Sequence, residues 1–389
     1  MFKKTEVLTS AACIATLFAS SPGFAREKFE RALILTGGGF NAPLYVGVVE
    51  GLIKSGWIPD VIIGTCGASV AAAIANAYPK SEDRKNYIER QSGGLFDVLT
   101  VPGINPDVTS YWGRGKLGYK AAGMASAASS DLKQISIDNY PDLFTGTILT
   151  IKDGFNDTTL NQKFHGENGA IRAVIVGSKL NYAQCDVGKS CTNQKAYQEV
   201  FFTDPDTATL LKGFKSPVGT DSESPNSAIQ ADTATVTDGT LGEAVRASIS
   251  DPYLAAPFKK GENTYGPGVI DLHPVEAAQQ LAKEVILVHD SDFGAVQEGA
   301  IRQVYGFSLN SRRAKALKAA IKSKIDLSVA TDDDKGFDGL NLSPKINSST
   351  AEITPRISKD NFQSYDAKEK AQLDLGQKAA VGAASQSDK

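Results

Sequence analysis

The stretch that most constrains this chain is Gly64-Thr65-Cys66-Gly67-Ala68-Ser69. The run Asp60-Val-Ile-Ile-Gly64 has the length and apolar character of a buried strand that ends at a glycine. Ala68 to Ala77 (ASVAAAIANA) then has the composition of a helix made of small residues. A strand, a one-residue tip and a helix force the tip side chain outward at a helix N-terminus, the geometry of a nucleophile elbow. Such elbows usually hold serine, and here the tip is Cys66.

The preceding segment has the same grammar. Arg31-Ala-Leu-Ile-Leu-Thr36 is a buried strand, Gly37-Gly38-Gly39 is a loop, and Tyr45–Ser55 has helical apolar spacing. With a second strand at Val61–Ile63 this is a βαβ unit, which predicts a parallel sheet covered by helices. Further along, Ala173–Ser178 and Gln198–Thr203 are strand-like, Leu241–Ile249 is helical, and Glu284–Val288 is another buried strand. Residues 80–165 show little periodicity, and residues 215–240 are polar and expected to form an exposed loop. Arg312–Lys324 is amphipathic and basic, a solvated helix face, and Ser364–Ala383 is expected to form a last helix. Asp332–Gly339 lacks calcium-loop spacing and is expected to be a solvated loop.

Composition narrows the partners. The chain has 389 residues, 41% hydrophobic and 22% charged, enough to bury a large core. A net charge of -3 without basic blocks argues against nucleic acid as a partner. Lys3 and Lys4, the apolar run Val7–Ala19 and the small-x-small end at Gly23 and Ala25 read as a signal peptide over 1–25. The expected mature protein is exported, periplasmic or secreted, after cleavage near Ala25. Export suits a disulfide between Cys185 and Cys191 across a turn-rich loop joining two strands, which leaves Cys66 as the unpaired thiol.

Three ordered segments resemble the patatin-like phospholipases. They are Thr36-Gly37-Gly38-Gly39, the elbow at Cys66, and Leu241–Ser250 followed by Ala256-Pro-Phe258 and Gly266–Pro274. The resemblance implies a three-layer α/β/α fold with a mostly parallel central sheet, an oxyanion loop at Gly37, Gly38 and Gly39, and hydrolysis of acyl esters in lipids. It implies a lipid or acyl ester ligand, compatible with peripheral membrane contact, and neither cofactor nor metal. The domain would run over 29–383, with its core motifs in 30–290, a C-terminal helical extension over 296–383, and a disordered tail at 384–389.

The departures fall on the chemistry. The family's elbow serine falls on Cys66, its dyad aspartate on Gly266, the next glycine on Pro267, and the oxyanion loop's basic residue and following glycine on Asn41 and Ala42. An ordinary thiol has a pKa of about 8.5 and tolerates a missing base better than a hydroxyl. Asp271 and His273 follow Gly266 closely and are the candidate replacement, in a Cys66–His273–Asp271 triad; the alternative is that His273 only makes hydrogen bonds in the turn before Pro274. Two functions follow: a weak thiol-dependent acyl hydrolase, or a catalytically inactive pseudoenzyme that binds lipid or a protein partner through the retained acyl pocket. A redox-sensing thiol at Cys66 is a third.

Overall fold

The structure, a computed structural model, describes residues 27–38, 41–90, 103–104, 131, 136–145, 149–150, 160–167, 169–328, 344–347, 352–355 and 365–386. The segment 1–25 expected to be a signal peptide, Gly39, most of 91–159 and the stretch 332–339 expected to be a solvated loop lie outside them.

Nine strands form the central sheet. In chain order they are β1 (Phe29–Leu35), β2 (Val61–Thr65), β3 (Arg172–Leu180), β4 (Tyr197–Thr203), β5 (Ala234–Val236), β6 (Phe258–Lys260), β7 (Asn263–Gly266), β8 (Ala282–His289) and β9 (Ser323–Asp326). The sheet runs β9-β8-β1-β2-β3-β4-β5, with β7 pairing β3 and β6 pairing β7. From β9 to β3 every pairing is parallel; β4 then runs antiparallel to β3. The expected βαβ unit is β1, helix α1 (Ala42–Lys54) and β2, with Leu33 opposite Ile62 and Ile34 opposite Ile63.

Strand residues alternate between two faces, and each face carries its own apolar core. Leu33, Leu35, Ile62, Ile175, Phe202 and Val288 belong to one core, together with α1 and α2 (Ser69–Ala77). Ile34, Ile63, Val174, Val176 and Leu287 belong to the other, under residues of α6 (Val275–Leu281), α7 (Ala295–Tyr305) and α8 (Leu309–Lys318). Two cores on either side of one sheet make three layers, as expected. The remaining helices are α3 (Ser81–Arg90), α4 (Pro205–Leu210), α5 (Leu241–Ser248) and α9 (Tyr365–Gln386).

Several local expectations change. The basic segment from Arg312 splits: α8 ends at Lys318, and Ser323–Asp326 joins the sheet edge as β9 beside β8. The C-terminal extension is therefore not wholly helical. Its last helix continues to Gln386, into the segment expected to be a disordered tail. The polar run 215–240 is not a free loop, because Ser216, Val218, Ala228 and Ile229 are buried in it. Backbone hydrogen bonds such as Ser216 N to Ala231 O and Ala228 N to Tyr305 O pin that run to the body.

The expected disulfide is absent. Cys185 and Cys191 are both free thiols, the first exposed and the second buried. Cys191 turns inward, where its thiol donates to Ile137 O at 3.3 Å. The β3–β4 connection is held instead by backbone bonds, including Asn181 N to Ala196 O and Cys191 N to Asp138 O.

Candidate active site

β2 delivers its last residues to the C-terminal edge of the sheet, where open parallel sheets place their ligands. Cys66 follows at once, with φ of 48°, in the left-handed region that is rare for a residue with a side chain. The short 3-10 turn Cys66–Ala68 leads into α2, so the thiol stands at a helix N-terminus, where partial positive charge favours a thiolate. The elbow is held on several sides. Cys66 N donates to Ser248 Oγ at 2.9 Å, and Ser69 Oγ donates to Cys66 O at 2.5 Å. Gly268 lies directly beneath: a methyl there would stand 2.8 Å from Cys66 N and 2.5 Å from Ser248 Oγ. Pro267-Gly268 thus keeps the one glycine this contact requires.

The partner of the thiol is Asp251. Cys66 Sγ donates to Asp251 Oδ2 at 3.0 Å, across 185 residues of sequence. Asp251 lies just beyond the C-terminus of α5, the helix that also supplies Ser248, so one element both positions the elbow and presents a carboxylate to it. Burial pushes the Asp251 carboxyl up to about 6, while the Cys66 hydrogen bond opposes that rise. Its Oδ1 is buried without a hydrogen-bond partner. Tyr253, two residues on, has φ of 65°, so a second backbone outlier sits beside the first.

The expected triad is not assembled. Asp271 is fully buried and its carboxylate is taken by Arg312, whose Nε and Nη2 donate to Oδ1 and Oδ2 at 3.0 Å each. Arg312 also donates to His273 O at 2.7 Å and to Glu276 Oε1 at 2.8 Å. His273 is 2% exposed and its Nδ1 has no hydrogen-bond partner. Burial, then Arg312 and Arg313, push its pKa down to about 3, too weak a base to draw a proton from a thiol. Asp271 and His273 therefore belong to a buried ion-pair network around Arg312, which is itself no solvated helix residue.

The position on which the family's aspartate falls is tightly lined by side chains. Gly266 sits at the end of β7 against β3, and a methyl on it would meet Ser178 Oγ at 2.7 Å and Leu180 Cδ1 at 2.9 Å.

Of the three oxyanion-loop glycines, Gly37 has already committed its amide, which donates to Thr65 Oγ1 at 3.0 Å. Its carbonyl accepts from Ala68 N at 2.7 Å, tying the loop to the elbow. Gly38, with φ of 84°, lies against the Tyr45 ring so closely that any side chain would overlap it. Tyr45 Oη donates to Thr36 O at 2.5 Å, and burial, followed by Asp290 and Cys66, holds that phenol well above its usual range, so it stays protonated. The amides of Gly38 and of Gly67, the residue after the nucleophile, donate to no described residue. Both amides are thus uncommitted among the described residues, one in the glycine loop and one directly after the elbow residue. Gly39 lies outside the described residues. No cluster of metal-ligating side chains occurs among the described residues.

The glycine loop, the strained elbow and the α5 carboxylate stand in one place. The family model for patatin-like phospholipases matches residues 33–278, well over half the chain. The chain belongs to the patatin-like phospholipase family. No curated protein sequence matches it. Among solved structures, the patatin-like chain is similar to the type III effector protein ExoU, at 12% identity and a TM-score of 0.31, over 92% of this chain and 53% of that one. It is also similar to VipD from Legionella pneumophila, at 11% identity and a TM-score of 0.33, over 92% of this chain and 68% of that one. The chain thus spans about half of the ExoU chain. The family match alone carries the assignment.

Asp251 is the residue beside the thiol that the sequence did not single out. Its one local signal is Ser250-Asp251-Pro252, a helix-stopping turn directly after the Leu241–Ser250 segment that carries the family resemblance.

Proposed function

We propose that this patatin-like protein hydrolyses lipid acyl esters through a Cys66–Asp251 dyad. The observation that supports it is the 3.0 Å bond from the thiol to a carboxyl raised to about 6. A group with that pKa is half ionised at about pH 6, close enough to neutral to take up and return a proton. Moving a proton from an ordinary thiol at about 8.5 to such a carboxylate costs about 3 kcal/mol, far less than from a serine hydroxyl.

The steps balance with one carboxylate. Cys66 Sγ bonds to the ester carbonyl carbon as Asp251 Oδ2 takes the thiol proton, and the carbonyl oxygen gains charge facing the Gly38 and Gly67 amides. The tetrahedral centre collapses, the alkoxide leaves with the proton from Asp251, and an acyl thioester remains on Cys66. Water then attacks that carbonyl and gives its proton to Asp251. The fatty acid leaves, and Sγ recovers the proton.

Short-chain p-nitrophenyl esters test this directly. Wild type is expected to turn over, with a transient acyl adduct on Cys66 seen by mass spectrometry; Cys66→Ala is expected to lose both. Removing the proton carrier with Asp251→Asn should cost about 10²–10⁴-fold in kcat. A wild type that forms no adduct and shows no turnover would leave the inactive, lipid-binding pseudoenzyme as the function. Export belongs to the same proposal, on the grounds of the apolar run Val7–Ala19 and its Gly23-x-Ala25 end. N-terminal sequencing should find the mature chain beginning near Arg26.

A further inference from the structure

The last helix of the chain reaches back to the oxyanion loop. Gln372, on α9, is 1% exposed, and its Nε2 donates to Asn41 Oδ1 at 3.1 Å, across 331 residues of sequence. Asn41 is the residue on which the family's basic loop residue falls. It stands at the N-cap of α1, yet its side chain makes no capping bond, so its amide oxygen is available to Gln372. Its backbone N donates to Gly38 O at 2.9 Å, closing the loop on the residue whose amide is left for the oxyanion.

The reach is rigid because α1 and α9 touch backbone to backbone. A methyl on Gly47 of α1 would overlap the Leu373 carbonyl, and one on Gly376 of α9 would overlap the Leu44 carbonyl. One on Gly51 would lie 2.6 Å from Gln377 O. Glycines at these positions let the helix axes approach so closely that α9 has little freedom to slide along α1. α1 is also the helix that starts at the loop and lays Tyr45 against Gly38.

We propose that Gln372 is a positioning residue for the oxyanion hole: through Asn41 it holds the Gly38 amide in the orientation that receives the developing charge. This rests on Cys66 being an acyl acceptor, as proposed above. The chemistry predicts a selective effect. Acylation of Cys66 by an ester passes through an oxyanion, whereas alkylation by iodoacetamide is a displacement at a saturated carbon that develops none. Loss of the bond should therefore slow the first and spare the second.

The experiment uses the full chain, with Cys66 modification followed by mass spectrometry. Gln372→Leu is expected to slow acylation by p-nitrophenyl butyrate about tenfold, a fraction of the 10²–10³ lost when an oxyanion donor is removed outright. Alkylation should stay within about twofold of wild type. Asn41→Ala, at the half-buried end of the same bond, should give the same pattern, and the double variant should be no slower than either single one. Should Gln372→Leu fail to fold, Asn41→Ala still decides the matter. Equal losses in acylation and alkylation would reduce Gln372 to a packing residue and overturn the proposal, as would acylation indifferent to both changes. A wild type that alkylates but never acylates would instead defeat the acyl-hydrolase function itself, and this inference with it.

Discussion

Asp251→Asn should make this protein more stable and less active at once. The carboxyl is raised from 3.8 in the unfolded chain to about 6 by burial. The folded state thus binds this proton more tightly than the unfolded one. The associated stability is fully present below about pH 4 and is lost as pH rises through 6. Two pKa units at 1.36 kcal/mol each put the native-state penalty of an ionised Asp251 at about 3 kcal/mol by pH 8. Asparagine removes the charge but keeps an oxygen that accepts from the Cys66 thiol, so most of that penalty should be recovered. Unfolding entropy of about 2 cal/mol/K per residue turns a net gain of 1–3 kcal/mol into a rise in Tm of about 1–4 °C. Differential scanning calorimetry at pH 8 and pH 4.5 reads it: the variant should lead at pH 8, and the gap should shrink towards pH 4.5. A variant no more stable than wild type at pH 8 would refute the account of Asp251 as a desolvated acid, whatever its activity.

The pH dependence of activity follows from the same group. kcat/KM for ester hydrolysis should rise with pH through a limb near 6, as Asp251 ionises, and His273→Gln should leave that limb in place because His273 is held neutral down to about 3; disappearance of the limb in His273→Gln would restore the histidine as base. Ser248→Ala removes the side-chain acceptor of the buried Cys66 N–H and should cost about 1–3 kcal/mol in unfolding free energy. Arg312→Met leaves the Asp271 carboxylate buried without its cation and should cost about 3–5 kcal/mol, whereas Asp271→Asn together with Arg312→Met should recover much of the loss in denaturant melts.

Much of the scaffold was legible because it rests on local patterns. Short apolar runs such as Ala32–Leu35 and Val285–Val288 have the length and composition of strands buried on both faces, and the glycine-ended run before Cys66 announces the elbow. The parallel core of the sheet follows from those runs and the helices between them, whereas the three-layer order was what the family resemblance implied. What sequence spacing could not supply was the identity of the charges that meet. Asp271 and His273 follow the vacated aspartate position closely in the chain, yet Arg312 of α8 folds over and binds them. The thiol's carboxylate came instead from the turn after α5, because Ser248 and Asp251 share the end of a helix that packs against the elbow. The Cys185–Cys191 pairing failed for a related reason: strand pairing already closes that hairpin, and Cys191 turns into the core. Local periodicity records which face of an element is buried; which two polar groups share a low-dielectric pocket depends on how distant elements are docked, and docking leaves no periodic trace in the chain.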